Sequence, residues 1–86
     1  MESDWKLVVH KTARKKIEKI PKKERLRLDK SFSFLLTDPG NCDFKPLEAR
    51  SEWSLRVGRW RVLINVDITC RTFIVTDFGP RGDIYK

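Results

Sequence analysis

Cysteine, histidine and long apolar runs are scarce in this sequence. Its 86 residues include two cysteines, Cys42 and Cys70, and one histidine, His10, which we take to be an ordinary surface residue. Because the cysteines lie far apart and form no C-x-x-C pair, the sequence predicts neither a disulfide framework nor a zinc site. No apolar run approaches the roughly 20 residues of a membrane span, and no secretory signal opens the chain. We therefore expect reduced thiols, no membrane association and a cytoplasmic location.

Acidic side chains are outnumbered as well. The chain has 19 Lys and Arg against 12 Asp and Glu, a formal net charge of +7, with 40% hydrophobic and 36% charged residues. This balance is typical of a folded domain rather than of a disordered basic tail. A chain of this length buries only about 60 to 65% of its surface, which excludes a deep multidomain cleft. We expect residues 1–86 to form a single domain.

Apolar spacing predicts a strand and two helices in the first half of the chain. Residues 5–9 are strand formers, and Thr12 is placed to cap the following helix. Apolar residues at helical spacing form two stripes: Ala13, Ile17 and Ile20 on the first helix, and Leu28, Phe32, Leu35 and Leu36 on the second. Pro21 ends the first helix, and Asp38-Pro39-Gly40 ends the second.

Alternating apolar residues predict three strands in the second half. Residues 53–57 form one strand, Gly58-Arg59 a two-residue turn, and residues 60–67 its partner. Residues 71–78 form a third strand, which Gly79-Pro80 breaks. The predicted order is β-α-α-β-β-β, an α+β fold whose antiparallel sheet has an N-terminal helical hairpin packed on one face.

The predicted turn places two arginines opposite each other. Val57 then pairs with Trp60, and Arg56 with Arg61, so that both arginines point to the face away from the helices. Opposed like charges are destabilising unless an anion lies between them, and an anion site is one interpretation. The other is that both guanidinium groups are simply solvated.

A second pair of chemically useful side chains lies near the end of the sequence. Arg81 and Tyr85 are four residues apart, a spacing that puts them on one side of the chain. An arginine fork and a tyrosine suit phosphate and base contacts in RNA, although a tyrosine packed on the sheet beside a rim arginine fits equally well. The scattered aspartates offer no paired-carboxylate spacing for a metal site.

Residues 53–63 (WSLRVGRWRVL) and 79–85 (GPRGDIY) resemble the pattern of RelE-type toxins of the RelE/ParE toxin–antitoxin superfamily. This resemblance implies a ribosome-dependent endoribonuclease that cuts mRNA in the ribosomal A site by metal-free, cofactor-free attack of a 2′-hydroxyl on the adjacent phosphate. It also implies a cognate antitoxin as partner. The alternatives are a ParE-like gyrase poison and a catalytically weak RNA-binding member of the same fold.

The resemblance also implies roles for individual residues. Arg61 stabilises charge on the scissile phosphate, Arg81 positions the phosphate and leaving group, and Tyr85 stacks on or orients the substrate. Arg56 lies where members carry a basic residue before the hairpin. We further assign Lys45, Arg59 and Lys86 to RNA binding. Ser54 and Pro80 stand where some members have Lys and His, which leaves Tyr85 and Glu52 as alternatives for the general base.

The predicted helices present a basic flank between residues 11 and 30. Its cations either track the ribosomal RNA backbone or form a solvated helical face. Leu26 and Phe34 lie off the apolar stripe of the second helix. We expect them to pack against the first helix, the alternative being an apolar patch that an antitoxin covers.

Overall fold

A computed structural model describes residues 4–47 and 51–80 of the chain. Its elements are, in chain order, β1 (Lys6–Val9), α1 (Lys11–Glu18), α2 (Lys22–Thr37), a short 3-10 helix (Pro39–Asn41), β2 (Phe44–Pro46), β3 (Glu52–Val57), β4 (Trp60–Asp67) and β5 (Thr72–Pro80). The strands form a five-stranded sheet in the order β1-β5-β4-β3-β2. The α+β class is therefore confirmed.

The order of the elements differs from the prediction. The predicted order β-α-α-β-β-β omits β2, and the helical hairpin, described there as N-terminal, lies between β1 and the other strands. β1 also pairs with β5 in parallel, which makes the sheet mixed rather than antiparallel. β2 escapes sequence analysis because it has three residues and ends in Pro46, which lacks an N–H group and is tolerated only at the edge of a sheet.

Local side chains set the boundaries of the helices. His10 is the N-cap of α1, and its Nδ1 accepts a hydrogen bond of 3.3 Å from the backbone N–H of Thr12. The predicted cap at Thr12 is therefore wrong by two residues, because the imidazole nitrogen serves as the acceptor. Pro21 directly precedes α2 and cannot continue α1, as predicted.

The predicted hairpin is confirmed in its register and in its buried face. Val57 pairs with Trp60 and Arg56 with Arg61, and Gly58 in the turn has φ 57°. The core cluster draws on both helices and the sheet: Ala13, Leu28, Phe32 and Leu35 from the helices, and Leu55, Val57, Val62, Ile64, Phe73, Val75 and Phe78 from the strands. Both helices thus cover one face of the sheet and leave the strand face that carries Arg56 open.

A β-bulge changes which side chains of β5 face the core. The register with β4 shifts between Leu63 and Ile64, where Thr76 is the extra residue of β5. Because of this residue, Val75 and Phe78 both reach the core although they are three positions apart.

The end of β5 also differs from the prediction. The strand continues through Gly79 and Pro80, and Pro80 pairs with Trp60. The predicted break at Gly79-Pro80 is wrong because a proline at the last position of a strand interrupts no following ladder.

Candidate functional site

The open face of the sheet carries a row of charged side chains. Arg56 of β3 lies directly opposite Arg61 of β4. The backbone N–H of Arg56 donates to the carbonyl of Asp43 at 2.9 Å, which places Asp43, the residue before β2, on the other side of Arg56. Directly opposed residues share a face of the pleat. Asp43, Arg56 and Arg61 therefore form one row, and Gly79 of β5, opposite Arg61, adds no side chain to it.

This row lines a cavity of about 280 Å³. Lys45 of β2 and Ser54 of β3, which face each other across the two strands, line it as well. Lys45 and Arg56 are exposed, Arg61 is half-buried, and Ser54 is only 9% exposed. Of the predicted site residues, the fold brings Lys45, Arg56 and Arg61 together.

Positive charge dominates this cavity, because three cationic side chains face one carboxylate, and we call it the cationic cavity. Arg56 Nε lies 3.9 Å from Asp43 Oδ2, and both side chains are 45% exposed. A pair with this spacing and exposure is worth at most about 1 kcal/mol and does not neutralise the site. Arginine presents a planar fork that matches phosphate oxygens. The arrangement therefore suits a phosphodiester group bound between Arg56, Arg61 and Lys45.

The other predicted site residues are not part of this cavity. The guanidinium of Arg59 lies 5.0 Å from the centroid of the Trp60 ring and 3.7 Å from Glu24 Oε1 of α2, on the helix side of the hairpin turn. Arg81, Tyr85 and Lys86 lie outside the described residues. The convergence of Arg81 and Tyr85 with Arg61 therefore stays a prediction.

Two carboxylates that could accept a proton, those of Glu52 and Asp43, lie in different places. Glu52, one of the predicted alternatives for the general base, accepts a 2.6 Å hydrogen bond from Thr76 Oγ1 and does not line the cavity. Asp43 does line it, and sequence analysis missed this residue. Had β2 been recognised, its alternation would have placed residues 43 and 45 on the same face.

The Cys42 thiol lacks the lowered pKa of a nucleophilic cysteine. Burial and the neighbouring Asp38 carboxylate raise the pKa of the Cys42 thiol, which disfavours the thiolate.

Across residues 4–47 and 51–80, no three His, Cys, Asp or Glu side chains are grouped to hold a metal ion. Within the same residues, no helix has the length and apolar character to cross a membrane.

A second surface lies on the outer side of α2. Leu26 and Phe34 are 56% and 58% exposed, so the prediction that they pack against the first helix is wrong. The stripe of α2 that contains Leu28 and Leu35 is buried against the sheet, and the opposite side of the helix stays uncovered. Leu26 and Phe34 line a shallow cavity of about 850 Å³ whose cationic members are Lys23, Arg27 and Lys30. We call these five residues the α2 patch.

The α2 patch adjoins the cationic cavity. A third cavity, of about 300 Å³, is lined by Phe34 on one side and by Asp43 and Arg56 on the other. A partner bound to the α2 patch can therefore reach Arg56 around the β2 edge of the sheet.

This chain is similar to known proteins in its structure but not detectably in its sequence. The sequence matches no protein-family model and no curated protein. The RelE–RelB complex from Pyrococcus horikoshii OT3 is similar with a TM-score of 0.79 and 22% identity, over 93% of this chain and 98% of that chain. The toxin–antitoxin complex RelBE2 from Mycobacterium tuberculosis gives 0.78 and 25%, over 90% and 98%. The isolated E. coli RelE toxin gives 0.74 and 19%, over 94% and 90%. This chain has the RelE toxin fold.

The resemblance to RelE-type toxins predicted from residues 53–63 and 79–85 is thereby confirmed. The RelE fold extends over nine-tenths or more of this chain in all three comparisons, so it includes both the helical hairpin and the sheet that carries the cavity. At these identities, similarity establishes the architecture, and the chemistry of the site rests on this chain's own side chains.

Proposed function

We propose that residues 1–86 form a single RelE-like toxin domain of a type II toxin–antitoxin system, and that the toxin is a ribosome-dependent endoribonuclease acting on mRNA in the A site. The observation that carries this proposal is the cationic cavity on the open face of a RelE-fold sheet, with Arg56, Arg61 and Lys45 around one space. The space accommodates a phosphodiester group, and cationic side chains supply the attraction that RNA binding requires.

The proposed chemistry needs neither metal nor cofactor. The ribose 2′-hydroxyl attacks the adjacent phosphate, and the bond to the 5′ oxygen breaks, leaving a cyclic phosphate and a 5′-hydroxyl. Negative charge on the phosphate oxygens grows in the transition state, where Arg56 and Arg61 stabilise it. Preorganised charge of this kind contributes several kcal/mol, roughly, to lowering a barrier. On the same proposal, Arg81 positions the leaving group, and Tyr85 orients the substrate.

Two macromolecular partners belong to the proposal. The ribosome supplies the mRNA and, for the basic helices, an RNA backbone; Lys11, Arg14 and Lys15 are exposed on α1. A cognate antitoxin is the second partner. Its support is that similar solved structures are RelE–RelB complexes and that the α2 patch presents exposed apolar side chains with a basic rim.

The test of the proposed function is primer extension on mRNA after induction of the protein in a bacterial host. We expect cuts at regular codon positions with the wild-type chain. Arg61→Gln should lower cleavage by about 10²- to 10³-fold, the usual cost of removing one donor to a developing oxyanion. Arg71→Gln is the matched control, because Arg71 is exposed and pairs with Asp4, away from the cavity.

Three results would count against the proposal. Cleavage that survives Arg61→Gln unchanged would disprove the site. Growth arrest with intact mRNA and DNA breaks dependent on gyrase would identify a ParE-like gyrase poison instead. Ribosomes occupied by the protein over uncut mRNA would identify an RNA-binding member without catalysis.

A further inference from the structure

Asp43 is an unexpected member of a cavity that suits an anion. Its carboxylate repels a bound phosphate, and yet the fold directs it to the same space as Arg56 and Arg61. The 2.9 Å hydrogen bond from Arg56 N–H to the Asp43 carbonyl extends the strand register to this residue. The 3.9 Å approach of Asp43 Oδ2 to Arg56 Nε then joins the two side chains on the open face.

Asp43 can accept a proton, which distinguishes it from the side chains around it. The ammonium of Lys45 and the guanidinium groups of Arg56 and Arg61 are hydrogen-bond donors without an acceptor site, and the Ser54 hydroxyl is a weak base. Among the described residues that line the cavity, the Asp43 carboxylate is the group suited to take a proton from a hydroxyl. Glu52 is directed instead to Thr76.

We propose that Asp43 is the general base of RNA cleavage, an inference that rests on the proposed function. Its carboxylate takes the proton of the ribose 2′-hydroxyl while the 2′ oxygen forms its bond to phosphorus and the bond from phosphorus to the 5′ oxygen breaks. The 5′ oxygen takes a proton from solvent water, and Asp43 returns its own proton to the resulting hydroxide. Atoms and charge balance without any further reactant.

The surrounding cations place the phosphate beside this carboxylate. Lys45 on β2, Arg56 on β3 and Arg61 on β4 all face the same space as Asp43, so a phosphate that they attract lies next to the proton acceptor. Asp38, directly after α2, is a neighbouring carboxylate. It lines the adjoining 300 Å³ cavity with Asp43 and Arg56 but does not line the cationic cavity.

The test is single-turnover cleavage of mRNA on programmed ribosomes with the purified chain at saturating concentration. Asp43→Asn should lower the rate constant by about 10²- to 10⁴-fold, the usual contribution of a general base. The protein concentration needed for half-maximal rate should stay the same or fall, because the substitution removes a charge that repels phosphate. A variant that only disturbed the fold would raise that concentration. Asp38→Asn is the matched control and should cleave at the wild-type rate.

Chemical rescue provides an independent readout. Added formate should restore part of the rate to Asp43→Gly by supplying a carboxylate to the vacated space.

The outcomes separate this inference from the proposed function. If wild type and Asp43→Asn cleave at equal saturating rates, Asp43 is not the base, and the proposed function stands. The same conclusion follows if formate restores none of the rate to Asp43→Gly. If the wild-type chain leaves the message intact on programmed ribosomes, the proposed function fails, and the role of Asp43 fails with it.

Discussion

Arginine has two distinct environments within one hairpin of this protein. Arg56 and Arg61 lie opposite each other in the cationic cavity, whereas Arg59, two residues from Arg61 in sequence, contacts Trp60 and Glu24. All three carry the same permanent charge. Strand register makes the difference, because a slip of one residue would turn Arg56 and Arg61 toward the helices and expose the core side chains.

The two cysteines also differ in their environments, and this difference predicts their reactivity. Cys42 is half-buried beside Asp38, and both burial and that carboxylate raise its pKa, while Cys70 is exposed. Since the thiolate is the reactive form, Cys42 should react several-fold more slowly with a disulfide reagent near neutral pH, and its rate should keep rising into the alkaline range. Cys42→Ser and Cys70→Ser isolate each thiol for the measurement.

Denatured protein provides the control for this comparison. In urea the two thiols lose their environments and should react at similar rates. Faster reaction of Cys42 than of Cys70 in the folded protein would contradict the assignment of Cys42 as a protonated, half-buried thiol.

The β3–β4 hairpin is the element on which the site depends. It holds Arg56 against Arg61 and provides four of the core side chains. Its turn places Gly58 at φ 57°, a backbone region that costs an L-residue roughly 1 to 2 kcal/mol.

Gly58→Ala should therefore lower the free energy of unfolding by about 1 to 2 kcal/mol. A Cβ at this position would lie 3.0 Å from Arg27 Nη1, the flexible end of a side chain that can move aside, so backbone conformation accounts for most of the cost. Urea denaturation followed by tryptophan fluorescence measures the change.

Gly40→Ala is the matched control for the hairpin. Gly40 has nothing within 4 Å of an added Cβ, and its φ is not positive. Its substitution should change the free energy of unfolding by no more than about 0.5 kcal/mol. Equal effects at the two glycines would mean that the turn is not under the steric constraint described above.

At the scale of the whole molecule, the helices cover one face of the sheet and leave the other face open. The cationic cavity lies on that open face, and the α2 patch lies on the uncovered side of α2, with the cavity lined by Phe34 and Arg56 between them. A chain with a net charge of +7 does not favour self-association through a patch rimmed by its own cations. The patch suits a partner segment with apolar anchors and acidic flanks.

On the proposed function, the α2 patch predicts which substitutions weaken antitoxin binding. The double variant Leu26→Ser/Phe34→Ser should bind a cognate antitoxin at least about ten-fold more weakly, measured by calorimetry, because apolar anchors contribute much of an interface's affinity. Its cleavage of ribosome-bound mRNA should stay at the wild-type level, because neither residue lines the cationic cavity.

Ile68→Ser is the control for surface hydrophobicity. Ile68 is 76% exposed after β4, away from α2. Its substitution should leave antitoxin affinity unchanged. If Ile68→Ser weakened binding as much as the double variant, the α2 patch would not be the docking surface.

Most of the local structure could be predicted from consecutive residues. Alternation over residues 53–57 and 60–67 predicted the hairpin and the Arg56–Arg61 pairing, and helical stripes predicted α1 and α2. The resemblance in residues 53–63 and 79–85 predicted the RelE fold. These features are readable because side-chain periodicity and turn chemistry depend on neighbours in the chain.

The remaining features depend on contacts between distant parts of the chain. Parallel pairing of β1 with β5, the three-residue edge strand β2 and the bulge at Thr76 carry no periodic signal, since each exists only through its partner strand. The same is true of the exposure of Leu26 and Phe34, which follows from where α2 packs. Asp43 lies in the site because β2 pairs with β3 at the edge of the sheet, which brings its carboxylate close to Arg56. No local sequence motif indicates this position.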